Sequence, residues 1–297
     1  MLFKKRAEKN YLNRLNTRGV FYNTTDSALP QTTVAKLVQK HFAESSDRVK
    51  KALIIGFDGA RADSMHLLCE SEDAAVTGNL FCAEYSAVNT LKAEGGLYLS
   101  FAGGLPTNPQ ETSTAQGWSA ILTGVWGDDN GVKQHKTMRR DCPTVLRSLS
   151  QNGKSTAFLA EWPDHFTVTY KDEIEIAKAD NLPLKFEKFE DDSALLQGFL
   201  REIEVGTDCI FGIFEGPDYN GHSTGFSIEN PRYAACVCRL DNLAYRLIQA
   251  VKARPTYENE DWLILITSDH GGHGRGHGTQ KPDDRMTFIA SNKTISE

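Results

Sequence analysis

Between Ser268 and Thr279 the chain reads DHGGHGRGHG, which sets Asp269, His270, His273 and His277 among five glycines. A surface loop needs polarity, but it does not need four potential metal ligands in nine residues. Carboxylates and imidazoles are the hard and borderline donors that suit zinc or a similar divalent ion. Gly271, Gly272, Gly274, Gly276 and Gly278 are expected to supply the positive φ values that let several side chains of one short loop converge. The loop reads as a folded clasp presenting Asp269 and His270 to one ion and His277 to another, with His273 unassigned.

Such a clasp needs a scaffold, and the apolar runs supply one. VKKALIIGF, STAFLAEW, DCIFGIFE and DWLILITS are short and continuously apolar in their middles, as expected of parallel strands buried on both faces. Helical patterns separate them, in CPTVLRSLSQNG, DDSALLQGFLREI and PRYAACVCRLDNLAYRLIQAVKA. The alternation predicts an α/β fold with a mostly parallel central sheet flanked by helices on both faces. RMTFIASN is expected to add a last strand. Residues 1–48 read as an N-terminal extension with one helix, TVAKLVQKHFAE, whose Val34, Leu37, Val38 and Phe42 keep helical spacing. Residues 49–297 read as the core domain. The stretch from about 160 to 192 is mixed and charged, and no period emerges from it.

In an open α/β sheet, sites form beyond the carboxyl ends of the strands. Asp58 follows ALIIGF, Asp218 and His222 follow CIFGIFE in GPDYNGH, and Asp269 and His270 follow WLILITS. Each alone is an ordinary turn or cap residue. Three strands delivering carboxylates and imidazoles to one sheet edge predict a metal centre.

A nucleophile is expected in the segment ETSTAQGWSAILTG. Thr112, Ser113 and Thr114 crowd ahead of a helical pattern in Trp118, Ile121 and Leu122. A hydroxyl there is commonly an N-cap, yet the helix N-terminus also attracts phosphate and favours an alkoxide. On chemistry alone the three hydroxyls are equivalent candidates.

The ordered set FDG, TAQGWSAILTGVWGDDNGV, PDYNGH, SDHGG and GHG resembles the alkaline phosphatase superfamily. Within it the set looks closest to the type I phosphodiesterase/nucleotide pyrophosphatase branch, from about residue 50 onward. The resemblance implies an alkaline phosphatase-like domain over residues 49–297 and a two-metal phosphohydrolase, with zinc as the metal and manganese as the alternative. Matching LTG and NGV places the nucleophile on Thr114 and implies a phosphothreonine intermediate. It also implies that Asp58, Thr114, Asp269 and His270 hold one ion while Asp218, His222 and His277 hold the other. The implied substrate is a small phosphate ester, with a nucleotide among the candidates.

Two departures bear on substrate. Where the branch often carries an asparagine that holds a phosphate oxygen, this chain has His135, either a substrate-binding replacement or a surface residue. Six residues separate His270 from His277, where many relatives insert a cap, so an open site is expected unless residues 160–192 cover it.

Composition narrows the classes further. A formal net charge of −6 argues against nonspecific binding to a nucleic-acid duplex. No apolar run reaches the length of a membrane span, and MLFKKRAEKNYLNRLNTRGV lacks the apolar stretch of a secretory signal. Six dispersed cysteines then read as reduced thiols in a cytoplasmic protein. A sulfatase is disfavoured because no C/S-x-P-x-R context surrounds Thr114. The short chain and threonine nucleophile also disfavour a phosphoglycerate mutase. A phosphomonoesterase or phosphonate hydrolase shares the same ligands and stays open, as does a non-catalytic metal-binding domain.

Overall fold

The computed structural model describes residues 2–16, 19–23, 27–70 and 85–296. In chain order the strands are β1 (Leu29–Pro30), β2 (Val49–Phe57), β3 (Gly96–Phe101), β4 (Gly104–Leu105), β5 (Asn108–Pro109), β6 (Thr156–Ala160), β7 (Leu184–Lys188), β8 (Cys209–Phe214), β9 (Glu260–Thr267) and β10 (Met286–Ser291). Eight of them form one sheet in the order β1-β3-β10-β9-β2-β8-β6-β7, and β4 and β5 make a separate hairpin. From β9 across to β7 every pairing is parallel, whereas β10 runs antiparallel to both of its neighbours.

The helices are α1 (Leu2–Asn16), α2 (Thr33–Ala43), α3 (Met65–Glu70), α4 (Ala87–Glu94), α5 (Thr114–Thr123), α6 (Gly127–Asn130), α7 (Val145–Gln151), α8 (Lys171–Ala179), α9 (Asp192–Val205), α10 (Gly216–Thr224), α11 (Pro231–Lys252) and α12 (Pro282–Arg285). Successive side chains of a strand point to opposite faces, which explains the continuous apolar runs. Leu53, Ile55 and Phe57 of β2 join a core with α4, α9 and α11. Ala52 and Ile54 face a second core with α2, α5 and α7. The result is the three-layer α/β fold expected from the alternation.

The N-terminal segment differs from the single-helix expectation. α1 precedes α2, and Leu29–Pro30 adds to the sheet edge beside β3. α1 is hard to see in sequence because the buried anchors among its described side chains in LFKKRAEKNYLNRLN are Tyr11 and Leu15, an i,i+4 pair amid charge. The stretch after residue 160 resolves into a π-helical turn at His165–Thr169, then α8, then β7. β7 lies at the sheet edge, where charged residues in LKFEK discourage further pairing.

Among the described residues no helix is long and apolar enough to cross a membrane. Cys142, Cys209, Cys236 and Cys238 are free thiols; Cys82 and the side chain of Cys69 lie outside the described set.

Candidate metal centre and active site

β2 lies between β9 and β8 in the sheet, so the segments leaving the carboxyl ends of β9 and β8 each start about 5 Å from the end of β2. Asp58 follows β2 directly, Asp269 and His270 follow β9, and Asp218 and His222 lie one turn apart on α10 after β8. Their ligand atoms form two groups, each within 4.8 Å: Asp58, Asp269 and His270 in one, and Asp218, His270 and His277 in the other. His222 completes the second group, with Nε2 at 3.4 Å from Asp218 Oδ2 and 3.1 Å from His277 Nε2.

Close packing makes this convergence possible. Gly59 has φ +69°, and a Cβ there would stand 3.0 Å from Asp218 Cα, so only glycine lets the turn after Asp58 lie against α10. A Cβ on Gly117 would meet Asp269 at 2.7 Å, so α5 can press directly on the clasp. Within the clasp, the expected role of the glycines is corrected: only Gly274 and Gly278 have positive φ. Gly271 and Gly272 are needed for space, because a Cβ would strike the Asp283 carbonyl or the Phe226 ring. Gly276 has open space around it and negative φ.

The hydrogen bonds leave a distinctive remainder. Asp58 Oδ2 accepts the Trp118 indole N–H at 2.8 Å, and Asp269 Oδ1 accepts the Gly59 N–H at 3.1 Å. Asp58 Oδ1, Asp269 Oδ2 and Asp218 Oδ1 are buried with no hydrogen-bond partner. A carbonyl can only accept, so each ligand histidine must donate from Nδ1: His270 to Gly271, His222 to Arg275 and His277 to Thr112. Each Nε2 is then a lone pair directed into the cluster, the arrangement by which a second partner fixes the tautomer of a metal-ligating histidine. Three orphaned carboxylate oxygens and three convergent lone pairs fit divalent cations.

The electrostatics agree. Burial raises the Asp58 carboxyl well above its ordinary value, and Asp269 and Asp218 add to the effect. Burial raises Asp269 in the same direction against the Gly59 N–H, and it lowers His270 well below the usual imidazole range. Such a cluster resists ionising on its own, and a bound cation would invert that preference.

Of the three hydroxyl candidates, Thr114 stands at the cluster, its Oγ1 3.4 Å from His270 Nε2. Thr112 is committed elsewhere: its Oγ1 donates to the Thr279 carbonyl at 2.8 Å and accepts from the Gly278 N–H at 3.1 Å. Ser113 is the N-cap residue of α5 but makes no side-chain capping bond. His273 points away from the cluster, bonded through Nδ1 to Asp284 at 2.6 Å and through Nε2 to Lys281 at 2.7 Å.

A cavity of about 270 Å³ opens over the cluster, and His135 lines it together with Trp162, Glu215 and Tyr219. His135 lies against Trp162, ring centroids 4.9 Å apart. Trp162 is thus a wall contributed by the stretch after residue 160, while the half-exposed His222 marks the open end. The surrounding basic residues largely serve surface ion pairs, Lys133 with Asp128, Arg139 with Asp141 and Arg140 with Glu175. Glu215, Trp162 and Tyr219 escaped the sequence reading. Glu215 ties the other two together, accepting the Trp162 backbone N–H at 2.5 Å and the Tyr219 hydroxyl at 2.6 Å, and burial pushes its carboxyl up to about 7. Its position at the end of β8, just before GPDYNGH, was the available signal. A roomier hollow of about 390 Å³ between Leu12, Phe101 and Met286 has no carboxylate or imidazole in its lining.

Comparison with known proteins gives the same direction. The chain is similar in structure to murine ectonucleotide pyrophosphatase/phosphodiesterase 5, solved as an inactive variant in complex with AMP (TM-score 0.50, 16% identity, 75% of this chain and 57% of that one). It thus spans a little over half of the murine protein. It is also similar to a Bacteroides fragilis protein assigned as a sulfatase (TM-score 0.52, 11% identity, 84% and 69% covered) and to a 2-O GAG sulfatase (TM-score 0.51, 10% identity, 84% and 66%). At such identities these likenesses speak for the fold alone. No curated protein matches the chain. The profile of type I phosphodiesterase / nucleotide pyrophosphatase matches residues 106–275, more than half of the 297. The chain therefore belongs to the type I phosphodiesterase/nucleotide pyrophosphatase family of the alkaline phosphatase superfamily.

Proposed function

We propose that the protein is a two-metal phosphodiesterase that works through a phosphothreonine on Thr114. The observation carrying this reading is the position of the Thr114 hydroxyl, at the first residue of α5 and 3.4 Å from His270 Nε2, which itself lies 3.5 Å and 3.3 Å from the orphaned oxygens of Asp58 and Asp269. Zinc, or alternatively manganese, held by Asp58, Thr114, Asp269 and His270 and by Asp218, His222 and His277, would lower the pKa of the Thr114 hydroxyl and offset phosphate charge. Two divalent ions would balance three carboxylates and one threonine alkoxide.

In the first step Thr114 Oγ1 bonds to phosphorus, the ester P–O bond opposite it breaks, and the alcohol departs with a proton. Water then attacks the phosphothreonine, releasing a phosphate monoester and restoring the hydroxyl. Ala115 and Gln116, in the first turn of α5, line the cavity, where helix partial charge would favour phosphate oxygens. His135 would donate a further N–H to the phosphate. The murine neighbour with AMP supports a nucleotide-type ester or pyrophosphate as substrate.

The test is a panel of aryl phosphodiesters, monoesters and phosphonates assayed with zinc, manganese or a chelator. A phosphodiesterase releases chromophore fastest from the diester and stops with the chelator. A reversed order would reassign it as a monoesterase or phosphonate hydrolase, and no turnover with full metal loading would make it a binding domain.

A further inference from the structure

The sequence FDGAR places Arg61 three residues after Asp58, and the reaction outlined above does not use it. Arg61 is nonetheless buried at the junction of the ligand-bearing segments. Its Nη1 donates to the Phe226 carbonyl at 3.0 Å and the Gly272 carbonyl at 2.8 Å. Phe226 follows α10, which carries Asp218 and His222, and Gly272 lies in the clasp between His270 and His277. Nε and Nη2 hold Asp63 at 2.9 and 2.7 Å, and Nη2 also reaches Asp283 at 2.5 Å. Asp283 in turn accepts the Gly272 N–H through its carbonyl at 2.9 Å. One planar guanidinium thereby joins the turn after β2, the segment after α10 and the clasp, which are the three sources of the carboxylate and imidazole ligands.

The N-terminal helix closes this assembly. Arg14 of α1 bonds Asp283 at 2.9 Å and lies 3.3 Å from Asp63, so two arginines and two aspartates form a neutral quartet. Tyr11, fully buried, sets its ring 5.8 Å from the Arg61 guanidinium carbon and 5.3 Å from that of Arg14. Removing Arg14 would leave two carboxylates competing for Arg61, and the fork could no longer serve both acids and both carbonyls.

We infer that Arg61 is a positioning residue for the metal centre and that α1, through Arg14 and Tyr11, holds it in the geometry that sets the clasp. The inference rests on the ligand assignment proposed above. It predicts that residues at the start of the chain tune metal affinity without touching a ligand. Partners one shell beyond a metal commonly change affinity by about 10- to 100-fold.

The experiment uses the full chain with Arg61→Lys, Arg14→Ala, Arg14→Lys and Tyr11→Leu. Zinc affinity is measured by competition with a chromophoric chelator, at a temperature where circular dichroism shows each variant folded. Amide hydrogen exchange across residues 271–278 is followed in the metal-free protein. Arg61→Lys and Arg14→Ala should weaken zinc about tenfold or more and speed exchange in the clasp, while amides of β2 and β9 stay protected. Arg14→Lys should stay near the parent, because a single charge serves both of its carboxylates. A purely structural network would lower the melting temperature yet leave zinc affinity and clasp exchange unchanged, and that result overturns the inference. If the parent chain binds no zinc, the ligand assignment fails, and the exchange arm alone still decides whether Arg61 and α1 set the clasp.

Discussion

His222 and His277 face each other through Nε2 at 3.1 Å, while each Nδ1 is tied at 3.0 Å to a backbone carbonyl. Two lone pairs at that separation repel unless a cation sits between or beside them. Zinc should therefore stabilise the fold. At a hundredfold excess over its dissociation constant a ligand adds about 2.7 kcal/mol per site, which is several degrees in melting temperature for a chain of this size. Thermal scans with zinc and with a chelator measure it. An identical midpoint in both would refute cation binding here, and His222→Ala should shrink the difference.

Thr114 can be separated from its neighbours by substitution. Thr114→Ala should cut turnover by at least about a thousandfold with zinc content close to the parent, and Thr114→Ser should keep measurable activity. Thr112→Val should act differently, because Thr112 laces the clasp through Thr279 and Gly278 and its carbonyl orients His277. The expectation is weaker zinc binding with the nucleophile intact. Activity surviving in Thr114→Ala would remove it from the chemistry.

The site was legible wherever chemistry coincided with a strand end. Asp58, Asp218, Asp269 and His270 each follow a continuous apolar run, and the parallel order of β9, β2 and β8 brings such ends together. Thr114 needed the family pattern, because three adjacent hydroxyls differ only in which way the first turn of α5 directs them. Trp162 and Arg61 were invisible for another reason. Their roles arise from contacts between segments far apart in the chain, and neither periodicity nor local spacing carries that information. α1 was missed because charge hides Tyr11 and Leu15, and Gly271 and Gly272 were misread because crowding by Asp283 and Phe226 leaves no trace in the loop itself.

Trp118 offers a test of how Asp58 is held. Its indole N–H donates to Asp58 Oδ2 at 2.8 Å, while its ring covers Gly56 of β2. Trp118→Phe keeps an aromatic ring in the core, so its stability cost should fall below the roughly 3–5 kcal/mol of a truncation to alanine. Asp58 would lose the bond that orients its free oxygen. Zinc affinity should drop about tenfold or more, as read by chelator competition. Unchanged affinity would mean that packing alone orients Asp58.

Asp241 gives a pH signature away from the metal centre. It is fully buried on α11 and accepts the Val88 N–H at 2.9 Å, near the start of α4. Burial pushes its carboxyl up to about 7, against the lowering effect of Ser86 and the α4 N–H groups. An unfolded aspartate titrates near 3.9, so between roughly pH 4 and 7 the folded chain holds a proton that the unfolded chain has released. Stability from this group is complete below pH 4 and is lost as pH rises through 7, by on the order of 4 kcal/mol. Asp241→Asn removes the titration while keeping a carbonyl acceptor for Val88. Urea unfolding at pH 4, 6 and 8 should therefore show parent and variant close together at pH 4, and the variant the more stable at pH 8. A constant difference across that range would show that the Asp241 carboxyl does not titrate between the two states.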